Sequence, residues 1–256
     1  LGDTNSSLLS YVCKRLKVPI FHIEAGNRSF DLRVPEEINR KIVDHISDLN
    51  LTYSQISKSN LINENISSDR VVVIGSPLKE VFEFYKNKIS KSKILKKLNI
   101  KKNKYFLISF HREENLDNSE NFKNFIQLLF YLNNEFRLPV IVSTHFRLRK
   151  KLQNHIKKNK LNNVIFMNPF SYSDYCQLQI SSKIIFSDSG SLTEETSIMK
   201  LKSINIRDSQ ERHEGFEQGI VPLTGLNLNL IKNALAYLLS NKSKFKPIKD
   251  YEDGIN

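Results

Sequence analysis

Cysteine, glycine and tryptophan are scarce in this chain of 256 residues, which has two cysteines, eight glycines and no tryptophan. Cys13 and Cys176 lie far apart, and neither belongs to a Cys/His spacing that would hold a metal ion. These absences argue against a disulfide framework and against a structural zinc site. We therefore expect both cysteines to be buried as small hydrophobic side chains.

Signals of membrane insertion, export and cofactor chemistry are missing as well. No apolar run approaches the roughly 18–20 residues that span a bilayer, and the opening residues Leu1–Thr4 resemble no signal peptide. A Walker-type turn, a nucleophile elbow, a His-Glu-x-x-His pair, an Asp-x-Asp pair and a Gly-x-Gly-x-x-Gly turn are absent too. We expect a cytoplasmic enzyme that uses no metal, no nicotinamide and no other cofactor, and that has no membrane partner.

The formal net charge is +12, and basic residues concentrate at 86–104 and 147–160. Such clusters can mark a nucleic-acid surface. Here, however, Lys and Arg alternate with Ile and Leu at helical spacing, and no aromatic residues are interleaved with them to stack on bases. We expect solvated helix faces and no nucleic-acid partner.

Short β-branched runs alternate with amphipathic stretches along the whole chain, a pattern typical of parallel sheets covered by helices. The predicted strands are Pro19–Ile23, Val71–Ile74, Phe106–Phe110, Val140–Ser143, Val164–Phe166, Ile184–Ser187 and Ser203–Ile206. The predicted helices lie near Leu8–Leu16, Glu36–Leu49, Lys79–Lys88, Glu120–Phe136, Arg147–Lys158, Tyr172–Ser181, Leu192–Met199 and Asn229–Ser240. The fold class is therefore α/β.

A break near Gly75 divides the chain into four predicted segments. They are a first α/β unit at 1–76, a connecting helix and linker at 77–100, a second α/β unit at 101–226 and a C-terminal helix and tail at 227–256. The first unit has two convincing strands, fewer than a doubly wound sheet needs, so we expect further chain before Leu1. The tail after Lys242 has no pattern, and we expect the C-terminus to be incomplete as well.

Polar residues gather where strands end, and in open α/β sheets ligands lie outside the carboxyl ends of the strands. The segment 187–195, Ser-Asp-Ser-Gly-Ser-Leu-Thr-Glu-Glu, passes from a β-run through a turn of small residues into a helix. Free N–H groups at such a helix start can bind phosphate, and Glu195 could accept hydrogen bonds from ribose hydroxyls. An ordinary capped helix start is the alternative.

Three further segments are charged at predicted ligand edges. In 33–40, Glu36 and Arg40 share a helix face. Taken alone, a surface ion pair is the simpler explanation, but the density of charged residues just upstream weakens it. In 111–115, His111 follows an apolar strand and could be structural, or an acid, a base or a phosphate contact. The segment 207–215 is charged throughout, as a solvated loop also would be.

Seven short sequence motifs, taken in this order, resemble those of the non-hydrolysing UDP-N-acetylglucosamine 2-epimerases. They are GDTNSS at 2–7, HIEAGNRSFD at 22–31, RVPEEINRKIVDH at 33–45, GSP at 75–77, HREEN at 111–115, SDSGSLTEE at 187–195 and RDSQERHEG at 207–215. The wording is closest to the branch that serves capsule and O-antigen sugars. The resemblance implies two Rossmann-like domains facing a cleft, the GT-B arrangement, with the first domain incomplete, a UDP-sugar substrate and a homodimer.

The same resemblance assigns roles to single residues. Asp3, Glu24 and Glu36 match the catalytic carboxylates, His111 matches the active-site histidine, and Arg40 matches an arginine that supports the carboxylates. The residues that match contacts to UDP are Tyr175 beside uracil, Ser189, Gly190 and Ser191 at the diphosphate turn, Glu195 at the ribose and Arg212 near the phosphates. Clustered carboxylates also raise one another's pKa, which suits proton transfer near neutrality.

The implied reaction inverts C2 of UDP-GlcNAc to give UDP-ManNAc by elimination and re-addition of UDP. Three alternatives stay open at this stage. The first is the same chemistry on another UDP-2-acetamido sugar, such as the step that forms UDP-N-acetyl-L-fucosamine. The others are a GT-B glycosyltransferase and an inactive fragment that only binds UDP.

Overall fold

Two separate parallel sheets organise the chain in a computed structural model, which describes residues 2–111, 119–144, 161–240 and 247–252. The strands are β1 Phe21–Ile23, β2 Leu49–Thr52, β3 Val71–Val73, β4 Phe106–Phe110, β5 Val140–Thr144, β6 Val164–Met167, β7 Ile184–Ser187 and β8 Ser203–Asn205. The sheets have the orders β1-β2-β3 and β6-β5-β4-β7-β8. Every pairing within them is parallel, which confirms the α/β class.

Within the described residues, helices connect β1 to β2, β2 to β3, β4 to β5, β6 to β7 and β7 to β8. The helices are α1 Thr4–Arg15, α2 Pro35–Ile46, α3 Gln55–Asn63, α4 Leu78–Ser90, α5 Ile94–Lys97, α6 Ser119–Phe136, α7 Tyr172–Ser181, α8 Leu192–Met199, α9 His213–Glu217, α10 Leu228–Ser240 and α11 Lys249–Glu252. Within the described ranges no helix combines the length and the apolar character needed to cross a membrane. The helix predicted at 147–158 and residues 112–115 of the HREEN motif lie outside the described residues.

The chain forms two compact units that are not consecutive in sequence. Unit 1 contains residues 1–81, 209–219 and 246–256, and unit 2 contains residues 82–208 and 220–245. The segments 209–219 and 246–256 thus belong to unit 1 although most of unit 2 precedes them along the chain. The consecutive domain boundaries given above stay a prediction.

Strand β2 and helix α3 were missed by the sequence prediction. The prediction extended the helix to Leu49, whereas α2 ends at Ile46 and β2 begins at Leu49. Ser47 ends α2 with an extended backbone, and its hydroxyl donates to the Val43 carbonyl at 2.7 Å. Because Asn50 is fully buried and donates to the Asp44 carbonyl at 3.0 Å, β2 does not show the apolar pattern of a central strand.

The two units differ in what fills their interiors. Unit 2 has a large apolar core on which β4, β5 and β7 bury nearly every side chain, and Phe110 stacks on Phe125 with ring centroids 4.2 Å apart. Burying each such large side chain contributes about 1.5–3 kcal/mol. In unit 1 the apolar cluster Ala25, Leu61, Ile66 and Val71 is small, and the unit also contains fully buried charged side chains. Cys176 is buried as expected, but Cys13 is only half-buried, since α1 buries little of its surface.

Candidate active site

Glu24 begins the loop that follows β1, and this loop is held in an unusual conformation. Its backbone has a φ of 72°, in the left-handed region that residues with a side chain seldom occupy. Gly26 follows with a φ of 76°, and a Cβ there would come within 2.2 Å of the Ser57 carbonyl oxygen. The loop therefore packs directly against α3, and this contact fixes the backbone position from which the Glu24 side chain extends.

A buried ionic network holds the same loop from the α2 side. Asp44, which is fully buried, accepts hydrogen bonds from the Gly26 N–H at 3.3 Å and from Arg28 Nη1 at 2.7 Å. Its other oxygen lies 2.6 Å from His22 Nδ1. Arg28 also donates to both oxygens of Glu64 at 2.7 Å. Burial alone would lower the pKa of Arg28, but the bonds to Glu64 and Asp44 outweigh it and raise that pKa, so Arg28 stays charged.

The Glu24 carboxylate is buried and meets a guanidinium group. Arg212 Nη2 donates to Glu24 Oε1 at 2.9 Å, and Asn27 Nδ2 donates to the same oxygen at 3.2 Å. Arg212 Nη1 lies 3.3 Å from Glu211, whose carboxylate is 3.6 Å from Arg40 Nη2. A chain of alternating charges therefore links Glu24 to α2. The resemblance assigns Arg212 to the phosphates, and this assignment stays a prediction; within unit 1 the residue lies against Glu24.

The adjacent glutamates at the start of α2 have different surroundings. Glu37 is fully buried and accepts from the backbone N–H of Ser29 at 2.7 Å and of Phe30 at 3.3 Å. Glu36, the predicted catalytic residue, is half-buried, and its Oε2 has no hydrogen-bond partner within the described part of the chain. Glu37 therefore holds the loop in place, while Glu36 keeps an acceptor that a ligand could use.

Gly2 brings Asp3 next to this helix. A Cβ at Gly2 would come within 3.2 Å of both Glu36 and Arg40, so the chain passes very close to them. Asn39 Nδ2 donates to the Gly2 carbonyl at 2.9 Å and strengthens the contact. Arg40 is 5% exposed, and among the described residues its Nε and Nη1 have no hydrogen-bond partner. Buried guanidinium donors of this kind are suited to an anionic ligand.

Asp3 itself caps α1, with its carboxylate accepting the Ser6 N–H at 2.9 Å. This hydrogen bond lowers the pKa of Asp3 below its ordinary value. The sequence-based expectation that clustering raises the carboxyl pKa is therefore wrong for Asp3, because the backbone donor at the helix start favours the ionised form.

Within unit 1 the structure brings the predicted residues into two linked groups. Asp3, Glu36 and Arg40 lie around Gly2, and Glu24 pairs with Arg212. Glu211 connects the groups but was not singled out from the sequence, nor was Asn27. The sequence feature that could have pointed to Glu211 is the run Glu211–Glu214, in which four ionisable residues follow one another. Nothing in the local sequence marked Asn27, since its contact with Glu24 depends on the left-handed turn.

Unit 2 places its predicted residues at the point where the strand order reverses. The chain starts at the central strand β4, moves outward through β5 and β6, and returns to β7 on the other side of β4. In such sheets ligands bind beyond the carboxyl ends of the two strands that flank this switch point. His111 follows β4 and Asp188 follows β7, and the His111 N–H donates to Asp188 Oδ2 at 3.0 Å. The predicted turn therefore lies at the topological switch point.

Small hydroxyl residues shape the turn between β7 and α8. Ser189 Oγ lies 2.9 Å from Ser191 Oγ and accepts from the Ser191 N–H at 3.3 Å. Ser191 precedes α8 but gives it no side-chain cap, because its hydroxyl donates to Glu195 at 2.8 Å instead. Within the described ranges the buried Thr193 hydroxyl has no partner either. An uncapped helix start beside Gly190 fits an anion such as a diphosphate.

Glu195 and Tyr175 lie on neighbouring helices of unit 2. Both oxygens of Glu195 accept from protein donors, one from Ser191 and the other from Gln179 on α7. Each carboxylate oxygen can accept a second bond, so the ribose contact stays a prediction. Burial raises the pKa of Tyr175, with the carboxylates of Glu195 and Asp188 adding to the effect, so its hydroxyl stays protonated.

Comparison with known proteins identifies the family. A family model described as UDP-N-acetylglucosamine 2-epimerase matches residues 1–255. A relative of that name from Methanocaldococcus jannaschii is 34% identical over an alignment of 260 positions, which covers 96% of this chain and 69% of the relative.

Solved structures show the same likeness. The UDP-N-acetylglucosamine 2-epimerase from Rickettsia bellii is 40% identical with a TM-score of 0.91, and the match covers 98% of this chain and 68% of that one. The M. jannaschii enzyme in complex with UDP-GlcNAc and UDP is 33% identical with a TM-score of 0.84, over 98% of this chain and 72% of that one. The chain belongs to the UDP-N-acetylglucosamine 2-epimerase family of isomerases.

Proposed function

We propose that this protein inverts C2 of UDP-GlcNAc to give UDP-ManNAc, by elimination and re-addition of UDP. The observation that carries the proposal is the arrangement of Asp3, Glu24 and Glu36 with Arg40 and Arg212 in unit 1. Unit 2 adds a hydroxyl-rich helix start at the switch point of its sheet, which we assign to the UDP diphosphate. Carboxylates for proton transfer and an anion site are the two things that this chemistry requires.

The acidity of the sugar explains the order of events. The C2 hydrogen of an N-acetyl sugar is not next to a carbonyl, so it becomes acidic only as the C1–O bond to UDP breaks. UDP leaves with the electron pair of that bond, a carboxylate takes the C2 proton, and the C2–H electrons form the C1–C2 double bond. A second acidic group then delivers a proton to the opposite face of C2, the electrons of the C1–C2 double bond form the new C2–H bond, and UDP adds again at C1.

Residue roles follow from the surroundings of each group. Glu36 keeps an oxygen without a protein partner and Glu24 is held by Arg212, so both are suited to exchange protons with the sugar ring. Arg40, with buried donors left over, stabilises the carboxylates and the developing negative charge. His111 is assigned to catalysis, and the residues assigned to the nucleotide and its diphosphate are Tyr175, Ser189, Gly190, Ser191 and Glu195.

The proposed product is a precursor of bacterial surface polysaccharide, and the proposed assembly is a homodimer. Both follow from the resemblance to the capsule and O-antigen branch. A relative from Pseudomonas aeruginosa that is 29% identical is named UDP-2,3-diacetamido-2,3-dideoxy-D-glucuronate 2-epimerase. A second candidate function is therefore the same inversion on another UDP-2-acetamido sugar, and the assay should include several such sugars.

The deciding experiment incubates the protein with UDP-GlcNAc in D2O without an acceptor. We expect deuterium at C2 of the recovered UDP-sugar and the appearance of UDP-ManNAc, both measured by NMR. Sugar transfer that needs an acceptor, without C2 exchange, would indicate a glycosyltransferase instead. UDP binding without exchange for any UDP-2-acetamido sugar would indicate a binding module, and sedimentation velocity tests the dimer separately.

A further inference from the structure

Asn27 is a buried amide that touches the carboxylate of Glu24 and has no place in the reaction described so far. The residue is 1% exposed. Its Nδ2 donates to Glu24 Oε1 at 3.2 Å, and its Oδ1 accepts from the Ser57 hydroxyl at 2.9 Å. An ionised carboxylate can only accept, so the amide nitrogen must face Glu24 and the amide oxygen must face α3.

The hydrogen bonds behind Asn27 fix this orientation. Ser57 Oγ donates to Asn27 and accepts from Ser54 Oγ at 3.1 Å, and Ser54 Oγ in turn accepts from the Ser57 N–H at 3.2 Å. Both serines are at most 1% exposed and lie at the start of α3. The start of α3 thus fixes the Ser57 hydroxyl, and that hydroxyl fixes the side-chain amide of Asn27. The amide therefore has little freedom to rotate.

A purely structural role for the Asn27 side chain is the alternative, and the loop has other supports. Asp44 accepts the Gly26 N–H, and Asn60 Nδ2 donates to the Gly26 carbonyl at 3.0 Å. Arg28 adds two hydrogen bonds to Glu64. The backbone on both sides of Asn27 is therefore held without its side chain, which leaves contact with Glu24 as the distinctive function of the amide.

The two donors at Glu24 meet the same oxygen. Arg212 Nη2 and Asn27 Nδ2 both donate to Oε1, and among the described residues none donates to Oε2. A carboxylate anchored through one oxygen presents the other in a fixed direction, which favours proton transfer at that atom.

We propose that Asn27 is a positioning residue which, together with Arg212, anchors Oε1 of Glu24 and leaves Oε2 to exchange the proton with the substrate. The inference rests on the proposed function, in which Glu24 is one of the acid/base groups. It goes further by naming the residue that orients this group and the oxygen that reacts.

The test compares Asn27→Asp with the parent protein in the C2 exchange assay. The substitution keeps the shape of the side chain and the acceptor for Ser57, but replaces the donor at Glu24 with an oxygen. We expect kcat to fall by about 10²-fold while KM changes by no more than about twofold, because misorientation slows the chemical step without touching UDP. Ser57→Ala, which releases the amide, should give a smaller fall in kcat.

The pH dependence separates positioning from a structural role. In Asn27→Asp the introduced carboxyl and Glu24 share one site, so lowering the pH adds a proton that one carboxyl can donate to the other. The charged groups around them are Arg212 at Glu24, Glu211 at Arg212 and Arg40 on α2. Arg28 donates to the Asn27 carbonyl at 2.9 Å and pairs with Asp44. We expect the activity ratio of variant to parent to rise severalfold between about pH 8 and about pH 6.

Asn63→Asp is the matched control, since Asn63 is exposed at the end of α3, and we expect parent-like kinetics. If the parent protein is active and Asn27→Asp has the same kcat, the positioning role is overturned while the proposed function stands. A fall in kcat accompanied by a lower melting temperature and weaker UDP binding, without recovery at low pH, would overturn the positioning role as well. A parent without C2 exchange would overturn the proposed function and the positioning role together.

Discussion

Units 1 and 2 hold the residues of the candidate site in place by different kinds of interaction. Unit 2 supports its turn with strands whose side chains are almost all apolar and buried, and the turn itself offers small hydroxyls and backbone N–H groups. Unit 1 supports its carboxylates with other charged groups, among them the fully buried Arg28, Glu37 and Asp44.

The difference follows from what each unit is proposed to do. A diphosphate needs a fixed set of donors, which a rigid sheet edge and a helix start supply from backbone N–H groups and hydroxyls. Proton transfer needs carboxylates at defined positions in a poorly solvated place, and those stay ionised only beside cations or other donors. Buried charges are therefore retained in unit 1 although they add little stability of their own.

Glu36→Gln should have the largest effect on kcat, and it tests whether unit 1 serves proton transfer while unit 2 serves UDP binding. The amide keeps the shape but cannot take or return a proton, so kcat for C2 exchange should fall by about 10³-fold or more. UDP affinity, measured by calorimetry, should stay within about twofold of the parent, because we assign UDP to unit 2. Glu83→Gln, at an exposed site on α4, is the control and should be fully active. Parent-like turnover in Glu36→Gln would remove Glu36 from the mechanism.

Asp44→Ala tests whether buried charge organises unit 1. The change leaves Arg28 without one of its buried partners, and the free energy of unfolding in urea should fall by about 3–5 kcal/mol. Phe110→Ala in unit 2 should cost a similar amount, about 3–5 kcal/mol, but through a cavity. Asp48→Ala removes an exposed ion pair with Lys14 and should change stability far less. Equal effects at Asp44 and Asp48 would contradict the buried network.

Glu195→Gln tests the nucleotide assignment of unit 2. A neutral amide cannot accept at both oxygens from Ser191 and Gln179 as the carboxylate does, so the turn should loosen. We expect UDP to bind about 10-fold more weakly, with kcat at saturating substrate close to that of the parent. Glu135→Gln, exposed on α6, is the control. Unchanged UDP affinity would remove Glu195 from the nucleotide site.

Glu214 gives the smallest expected effect. Burial raises the pKa of this carboxyl above the ordinary value of 4.5, and Tyr251 on α11 donates a hydrogen bond to it. Because the folded-state pKa is raised, the stability that this group contributes is complete below pH 4.5 and is lost as the pH rises through the raised pKa. The free energy of unfolding in urea should therefore increase for Glu214→Gln relative to the parent as the pH rises. A difference that is independent of pH would contradict this.

The local sequence was sufficient where periodicity and side-chain type agreed. Strands β4 and β7 and helices α7 and α8 were predicted with the observed bounds, because apolar β-branched runs and amphipathic stretches carry their own signal. Strand β2 carried no such signal, since its buried Asn50 is compensated only by the Asp44 carbonyl from another element.

The candidate site divides in the same way. The choice of Glu36 over Glu37 came from the family resemblance, but their different surroundings appear only when Ser29 and Phe30 fold back onto Glu37. The contact of Arg212 with Glu24 joins residues 188 positions apart, and Asn27 reaches Glu24 only because the chain turns through a left-handed conformation at Glu24.

The sequence by itself determined the α/β class, the family and the residue types available for the chemistry, since these depend on short-range patterns and on ordered motifs. The tertiary structure decided which carboxylates are held by protein donors and which keep an acceptor for a ligand. Hydrogen bonds and burial depend on partners brought together by folding, and no spacing along the chain specifies them.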